Sequence, residues 1–138
     1  MRILILFLIL TSNIIAEEII GVPRIVDGDT IHIEKYKIRL EGIDAPEIRQ
    51  KCKKEKLKIS SFIGFTFYKD YNCGEVAKEN LESKVDRSEI RCISSSKDRY
   101  ERYLAKCFKD KINLNRWMVR NGHAVAYKRY SREYIPDE

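Results

Sequence analysis

The sequence predicts an α+β fold, a small closed β-barrel of five strands with helices packed against it. Three observations support this prediction. The 138 residues suit a single domain, and a composition of 43% hydrophobic and 35% charged residues is typical of a folded globular protein. Segments with strand-like alternation and segments with helical periodicity follow in the order strand, strand, strand, helix, strand, strand, helix.

The barrel begins with a predicted β-hairpin, after a short lead-in over residues 17–23. Residues 24–34 and 36–42 form its two arms, because apolar side chains recur at every second position. These positions are Ile25, Ile31, Ile33, Ile38 and Leu40. An Asp-Gly-Asp sequence at residues 27–29 interrupts the first arm, and glycine there suits a bend or bulge. Pro46 prevents the second arm from continuing.

The remaining elements follow a long, basic and irregular segment over residues 49–72, in which five lysines precede five aromatic residues. We predict a helix over residues 75–85, strands over 89–94 and 103–109, a second helix over 112–122, and a short strand over 123–127. Asn113 can cap the second helix, and Gly122 suits the position after its end. This order of elements favours a barrel of the oligonucleotide-binding (OB) type.

The first sixteen residues predict a secretory signal peptide. Arg2 supplies the positive charge, residues 3–10 are an unbroken apolar run, and Ala16 is a small residue suited to cleavage. The apolar run is short for a transmembrane helix, but Ile14 is bulkier than cleavage sites prefer, so an uncleaved membrane anchor is the alternative. We therefore expect an exported protein, secreted or periplasmic, whose domain covers residues 17–138.

The chain contains four cysteines, Cys52, Cys73, Cys92 and Cys107. An even number behind a signal peptide predicts disulfides. Zinc binding is the alternative, which the wide spacing and the lack of a CxxC pair disfavour. Of the three possible pairings we favour Cys52–Cys73, which would close the basic segment, and Cys92–Cys107, which would link two predicted strands.

The net charge of +6 and the pI of about 9.1 favour an acidic partner. Nucleic acid is one candidate, and an anionic membrane or simple solubility is the alternative. The lysines within residues 51–58 could contact a nucleic-acid backbone, or they could belong to a solvated charged loop.

Carboxylates gather at the two ends of the predicted hairpin. Asp29 on the first arm and Asp44 at the end of the second could reach one point, and the carbonyl of Ala45 could add a third oxygen. Ca²⁺ accepts such oxygen ligands in irregular geometry, and the lack of accompanying histidine or cysteine disfavours zinc. Glu47, just beyond, could hold a metal-bound water. The alternative is an Asx-type turn over residues 27–29 with no metal role.

Two arginines accompany these carboxylates. Arg39 alternates with Ile38 and Leu40, so it faces solvent or a cleft beside Asp44 when they face the core. Arg102 lies between two predicted strands. Two arginines around a carboxylate-bound metal suit phosphodiester hydrolysis, because planar bidentate donors match the oxygens on which negative charge grows. A surface salt bridge is the alternative for each arginine.

Four motifs, VDGDT, IRLEGIDAPE, KDRYERYLA and RNGHAVAY, follow one another between about Arg24 and Tyr134. Together they resemble the staphylococcal-nuclease-like (thermonuclease) family, in particular its secreted bacterial members with paired cysteines and an AVAYxRYS segment. The resemblance implies an OB-type barrel and a Ca²⁺-dependent endonuclease for DNA and RNA, which breaks the 5′-O–P bond and leaves 3′-phosphate ends. We expect a monomer whose partner is nucleic acid, with single strands preferred.

The resemblance also implies a role for each acid. In the family, the aspartates matching Asp29 and Asp44 and the carbonyl matching Ala45 hold the metal, and the glutamate matching Glu47 positions or activates the attacking water. Ala45 replaces a threonine of the best-known member. Because only a main-chain oxygen is required there, little is lost.

For the substrate, the resemblance implies that the arginines matching Arg39 and Arg102 bind the phosphate, neutralise its growing charge and assist the leaving group. Tyr100 and Tyr127 match positions near the bound nucleotide. Glu101 stands where a glycine is common, which could stiffen the loop or add a repulsive charge beside Arg102.

Two further expectations concern the whole chain. Family members generally continue into a C-terminal helix, and we expect the domain of residues 17–138 to lack it. A catalytically inactive OB-type nucleic-acid-binding module is the alternative to a nuclease. Converging carboxylates favour the nuclease, because they repel phosphate unless a metal intervenes.

Overall fold

The computed structural model describes residues 16–58, 66–129 and 131–138. The predicted signal peptide therefore lies outside the described residues, except for Ala16. None of the helices in these ranges is long and apolar enough to cross a membrane.

The described residues form eleven strands, two α-helices and one 3₁₀-helix. In chain order these are β1 (Glu17–Gly21), β2 (Arg24–Ile25), β3 (Thr30–Ile33), β4 (Tyr36–Leu40), β5 (Ile43–Asp44), β6 (Cys52–Lys58), β7 (Thr66–Tyr71), α1 (Cys73–Val85), β8 (Ile90–Lys97), β9 (Tyr103–Lys109), β10 (Ile112–Asn113), α2 (Leu114–Arg120), β11 (Val125–Ala126) and the 3₁₀-helix Ile135–Asp137. Asn113 caps α2 as predicted, because its side chain accepts the backbone N–H of Arg116.

A seven-stranded mixed sheet forms the wall of the barrel, in the order β1-β8-β9-β4-β3-β2 with β10 added to β9. Neighbouring strands are antiparallel except β4 and β9, which are parallel. Gly21 of β1 lies so close to Ile33 of β3 that a Cβ at position 21 would meet the Ile33 Cγ2 at 2.6 Å. The two ends of the sheet therefore approach each other, and this curled sheet confirms the predicted β-barrel.

The core lies between the inner face of the sheet and the two helices. It contains the alternating residues of the predicted hairpin, Ile25, Ile31, Ile33, Ile38 and Leu40, and the helix residues Ala77, Leu81, Val85, Leu114 and Met118. Asn115 is fully buried, accepts the N–H of Cys107, and donates to the carbonyls of Glu41 and Ala105. These bonds attach α2 to β9 and to the turn after β4, from which the site residues follow.

The lead-in predicted over residues 17–23 is wrong, because Glu17–Gly21 forms β1 and pairs with β8. Ile19 is the one buried residue of this strand. With one buried side chain, the sequence of β1 shows no alternation that would predict a strand. The strand forms because β8, far along the chain, supplies its hydrogen-bonding partners.

The irregular segment predicted over residues 49–72 is also wrong where the structure describes it. β6 and β7 pair as an antiparallel ribbon that forms a sheet of its own. The described side chains at 53, 54 and 68–71 are exposed, so both faces are polar and the alternation that marks a half-buried strand is missing.

Both predicted disulfides are present. Cys52–Cys73 joins the start of β6 to the first residue of α1. Cys92 and Cys107 lie directly opposite each other in β8 and β9, and their disulfide is buried in the core. Disulfides of this kind are typical of proteins in oxidising compartments.

Candidate active site

Asp29 follows the bend that interrupts the first hairpin. The Asp27 carboxylate accepts the backbone N–H of Asp29 at 3.0 Å, which closes the Asx-type turn considered above. The Asp29 side chain itself is only 5% exposed. Its Oδ1 accepts the Thr30 hydroxyl at 3.1 Å, and its Oδ2 accepts the Ala45 N–H at 2.9 Å. The Asx-type turn therefore uses the carboxylate of Asp27, whereas the carboxylate of Asp29 takes no part in closing it.

Burial raises the pKa of Asp29 to about 6, although the Ala45 N–H and the Arg39 guanidinium act in the opposite direction. The nearby charge of Asp27 adds to the increase. A buried acid with a perturbed pKa, held by specific polar partners, is a candidate for a functional group.

Arg39 joins the two ends of the hairpin. The register of β3 and β4 places it opposite Thr30, beside Asp29. Its Nη1 donates to Asp29 Oδ1 at 2.7 Å, and its Nη2 donates to Asp44 Oδ1 at 2.8 Å. The Arg39 guanidinium therefore contacts both carboxylates that are predicted from the sequence to bind a metal.

The donor set around Arg39 fits a hard cation. Asp29 and Asp44 contact the same guanidinium through its two terminal nitrogens, and the backbone of Ala45 lies against Asp29. The described residues contain no group of three or more His, Cys, Asp or Glu side chains that could hold a metal. An ion here would need carbonyl and water oxygens to complete its shell, which Ca²⁺ accepts and zinc does not favour.

Glu47 lies on the turn between β5 and β6, with an exposed side chain. Its carbonyl accepts the N–H of Gln50 at 2.7 Å, which closes the turn. Gly74 of α1 packs directly on this turn, since a Cβ at position 74 would meet the Glu47 carbonyl oxygen at 1.8 Å. Within the described residues the Glu47 side chain contacts none of the other predicted site residues, so the backbone alone fixes its place.

Arg102 is held by Asp98 at the end of β8. The Asp98 carboxylate accepts the backbone N–H groups of Tyr100 and Arg102, and the Nε and Nη2 of Arg102 both lie 2.8 Å from its Oδ2. Burial would raise the pKa of Asp98, but the hydrogen bonds from Arg102 and Tyr100 outweigh burial and lower it. The Arg102 guanidinium also lies 5.5 Å from the centre of the Tyr100 ring.

A cleft of about 780 Å³ brings the predicted substrate-binding residues together. Arg39, Tyr100, Arg102 and Tyr127 all line it. Its walls come from β4 with the turn after it, from the loop between β8 and β9, and from the segment after β11. Asp29, Asp44 and Glu47 are not among the lining residues of this cleft. The two aspartates contact Arg39, which does line it.

The arrangement of these residues agrees with the family to which the sequence is similar. Residues 37–137 match the model of the staphylococcal nuclease homologue family. The chain belongs to this family. The resemblance predicted from the four motifs is therefore confirmed, and the OB-type barrel with helices is the fold that such nuclease homologues share.

Individual relatives of this nuclease homologue come from several bacteria. The chain is 36% identical over 112 residues to a protein of Rhizobium meliloti (strain 1021) named "Succinoglycan biosynthesis protein ExoI", covering 80% of this chain and 53% of that protein. It is 32% identical over 137 residues to an "Uncharacterized endonuclease" of Haemophilus influenzae, covering 96% and 65%. A further "Uncharacterized endonuclease", from Escherichia coli O157:H7, is 31% identical, with 83% and 64% covered. The chain thus spans about half to two thirds of the length of these relatives.

Glu101, at the position where the resemblance implies glycine, has a φ of +61° in this nuclease homologue. That left-handed conformation is unfavourable for residues with a Cβ. The hydrogen bonds of Asp98 to residues 100 and 102 hold the loop in this conformation around Glu101.

Two residues of this nuclease homologue support the site without having been predicted from its sequence. Asp98 fixes the loop that carries Arg102, and Gly74 supports the turn that carries Glu47. The KDRYER sequence offers a signal for Asp98, because Asp four residues before Arg can pair with it. Nothing local marks Gly74, whose small size matters only because the turn at Glu47 packs on the start of α1.

Proposed function

We propose that this nuclease homologue is an exported, calcium-dependent endonuclease that hydrolyses phosphodiester bonds of DNA and RNA and leaves 3′-phosphate ends. It acts as a monomer and prefers single strands. The observation that carries the proposal is the position of Arg39, which contacts Asp29 and Asp44 and also lines the cleft with Arg102. Two relatives whose names give an endonuclease support the same reaction class.

In this proposal Asp29, Asp44 and the carbonyl of Ala45 hold the calcium ion. Bound Ca²⁺ supplies positive charge that attracts the phosphate and stabilises the negative charge of the transition state. Burial raises the pKa of Asp29 to about 6, and a bound cation would favour the ionised form of this carboxylate.

The side chains of the cleft act on the phosphate and the water. Arg39 and Arg102 donate to the phosphate oxygens, and their planar guanidinium groups match the charge that develops there. Glu47 takes a proton from the attacking water or orients it. Tyr100 and Tyr127 contact the nucleotide, and Tyr100, which is 62% exposed, can stack on a base.

Two disulfides in the domain support export from the cytoplasm. The predicted signal peptide over residues 1–16 would direct the chain to an oxidising compartment, where two disulfides form and persist. We therefore place the nuclease outside the cytoplasm, in the medium or an envelope space.

Cleavage assays on labelled single-stranded DNA and RNA test the proposal, run with calcium and then with a calcium chelator. We expect cleavage that requires calcium, and fragments that accept a 3′ extension only after phosphatase treatment. Fragments that extend without phosphatase would contradict the proposed products, and equal cleavage in chelator would contradict the calcium requirement. Tight binding without cleavage would instead support the inactive nucleic-acid-binding module.

A further inference from the structure

The β6–β7 ribbon carries exposed cations on one of its faces. Its register places Cys52 opposite Tyr71 and Lys54 opposite Lys69. Because alternate residues of a strand project to the same side, these four side chains share one face. Lys53 projects from the opposite face of the ribbon.

Among the described residues, the lysines of this face have no salt-bridge partner. Like charges directly opposite each other destabilise a strand pair. Lys54 and Lys69 are both exposed, and across the described residues neither ammonium group forms a hydrogen bond or a salt bridge. Tyr71, 38% exposed, lies beside them. Two cations and an accessible ring are complementary to the phosphates and bases of a nucleic-acid strand.

The same face continues from the turn that carries Glu47. Cys52, on this face, is bonded to Cys73 at the start of α1, and the next residue, Gly74, packs on the Glu47 carbonyl. The N–H of Gly74 also donates to the Gln50 carbonyl at 3.4 Å. One anchor point therefore positions both the ribbon and the turn that carries Glu47.

We propose that Lys54, Lys69 and Tyr71 bind a single nucleic-acid strand where it extends beyond the cleft on the side of Glu47, an inference that rests on the proposed function. The two lysines neutralise successive phosphates and Tyr71 stacks on a base. This ribbon face recognises the backbone rather than the sequence. It strengthens the binding of strands long enough to reach it and leaves the hydrolytic step unchanged.

Fluorescence anisotropy with a labelled twenty-nucleotide single-stranded DNA, in chelator and over a range of salt concentrations, tests the ribbon face. The K54A/K69A variant should raise Kd roughly tenfold at low salt and reduce the slope of log Kd against log salt by about 1.4, the value for two phosphates on a single strand. The matched control K35A/K111A removes two exposed lysines outside the ribbon and should keep the slope nearly unchanged. Tyr71→Ala should raise Kd without changing the slope.

A wild-type Kd and slope in K54A/K69A, or an equal loss in the control, would overturn the ribbon face as a binding surface. Circular dichroism melts identify any variant that fails to fold, and K54Q/K69Q then repeats the test with longer side chains. Cleavage with calcium is measured separately on the wild type. If the wild type does not cut but the slope changes as expected, the ribbon face stands and the nuclease proposal fails.

Discussion

At the scale of single residues, the burial of Asp29 serves the proposed site but lowers the stability of the fold at neutral pH. Burial raises its pKa from 3.8 to about 6, so the folded protein binds an extra proton between these values. Its contribution to stability is therefore present below pH 3.8 and is lost as the pH rises through 6. At neutral pH Asp29 is ionised, as the pair with Arg39 requires, and burying that charge lowers the stability of the folded state, as is common for functional groups.

Glu101→Gly should increase both stability and activity. Glycine adopts a φ of +61° without strain, and we expect a gain of roughly 1 kcal/mol or less after the larger unfolded-state entropy of glycine is subtracted. The exposed ion pair with Lys97, at 3.8 Å, contributes little. Removing the carboxylate next to Arg102 should also lower KM for single-stranded DNA. Thermal melts and steady-state cleavage rates measure the two effects.

The control for this prediction is Glu101→Ala, which removes the same charge but keeps a Cβ at the strained position. We expect it to lower KM like the glycine variant without raising the melting temperature. Equal melting temperatures for the two variants would show that backbone strain at residue 101 is not what limits stability.

At the scale of elements, the start of α1 supports the turn that carries Glu47. The Cys52–Cys73 disulfide closes a segment with a sequence separation of 21, and a loop of that size contributes about 3 kcal/mol in the chain-entropy model. Gly74, immediately after it, lies in contact with the Glu47 carbonyl. The disulfide thus does more than stabilise the domain, because it holds the surface on which Glu47 rests.

Gly74→Ala should reduce kcat more than it reduces stability. The added Cβ would meet the Glu47 carbonyl oxygen at 1.8 Å, so the turn must move, and a displacement of about 1 Å near reacting groups can lower the rate about a hundredfold. We expect a stability loss of about 1 to 3 kcal/mol from the overpacking. Chemical denaturation and single-turnover cleavage measure the two quantities. Ser83→Ala, at an exposed position of α1, is the control, and an unchanged kcat in Gly74→Ala would show that the turn does not position Glu47.

At the scale of the whole molecule, the last residues tie the second helix to the barrel. Asp137 accepts from the Nε of Arg116 at 2.9 Å and from the Nε of Arg120 at 2.6 Å. Glu138 accepts the N–H of Ala126 in β11, the strand that pairs with Asp44. These contacts link the end of the described chain to the element that carries a metal-binding candidate.

Asp137→Asn should lower the melting temperature at neutral pH but have little effect in strong acid. Burial would raise the pKa of Asp137, but the hydrogen bonds from Arg120 and Arg116 outweigh burial and lower it. The stabilisation is therefore complete above pH 3.8 and disappears as the pH falls through the lower folded-state value. Melts of both proteins between pH 2 and pH 7 check this. A difference in melting temperature that persists at pH 2 would contradict the assigned role of the Asp137 charge.

Much of the molecule could be predicted from the sequence because its signals are local. Alternating isoleucines give the hairpin of β3 and β4, which places Arg39 beside Asp29, and Asp44 follows in β5. The Asn113 cap likewise identifies the start of α2. When a sequence pattern depends only on residues close in the chain, it predicts both the secondary-structure element and the face of that element that is buried.

The features that the sequence did not predict depend on distant partners. β1 needs β8 to satisfy its backbone, and the β6–β7 ribbon has polar residues on both faces and so shows no alternation. The contact of Gly74 with Glu47 exists only because the disulfide brings α1 to the turn. Such long-range pairings produce no hydrophobic periodicity in the segments that they join, so the sequence alone does not predict them.

We infer that the carboxylate of Glu47 drives phosphodiester hydrolysis together with the acid pair that Arg39 bridges. The most direct test compares kcat for single-stranded DNA, with calcium, between the wild type and Glu47→Gln. The matched control is Glu79→Gln, an exposed acid on α1. We predict a fall in kcat of about 10² to 10⁴ for Glu47→Gln, with the melting temperature and the DNA Kd unchanged, and wild-type kcat for the control. Full kcat in a folded Glu47→Gln variant would contradict the account.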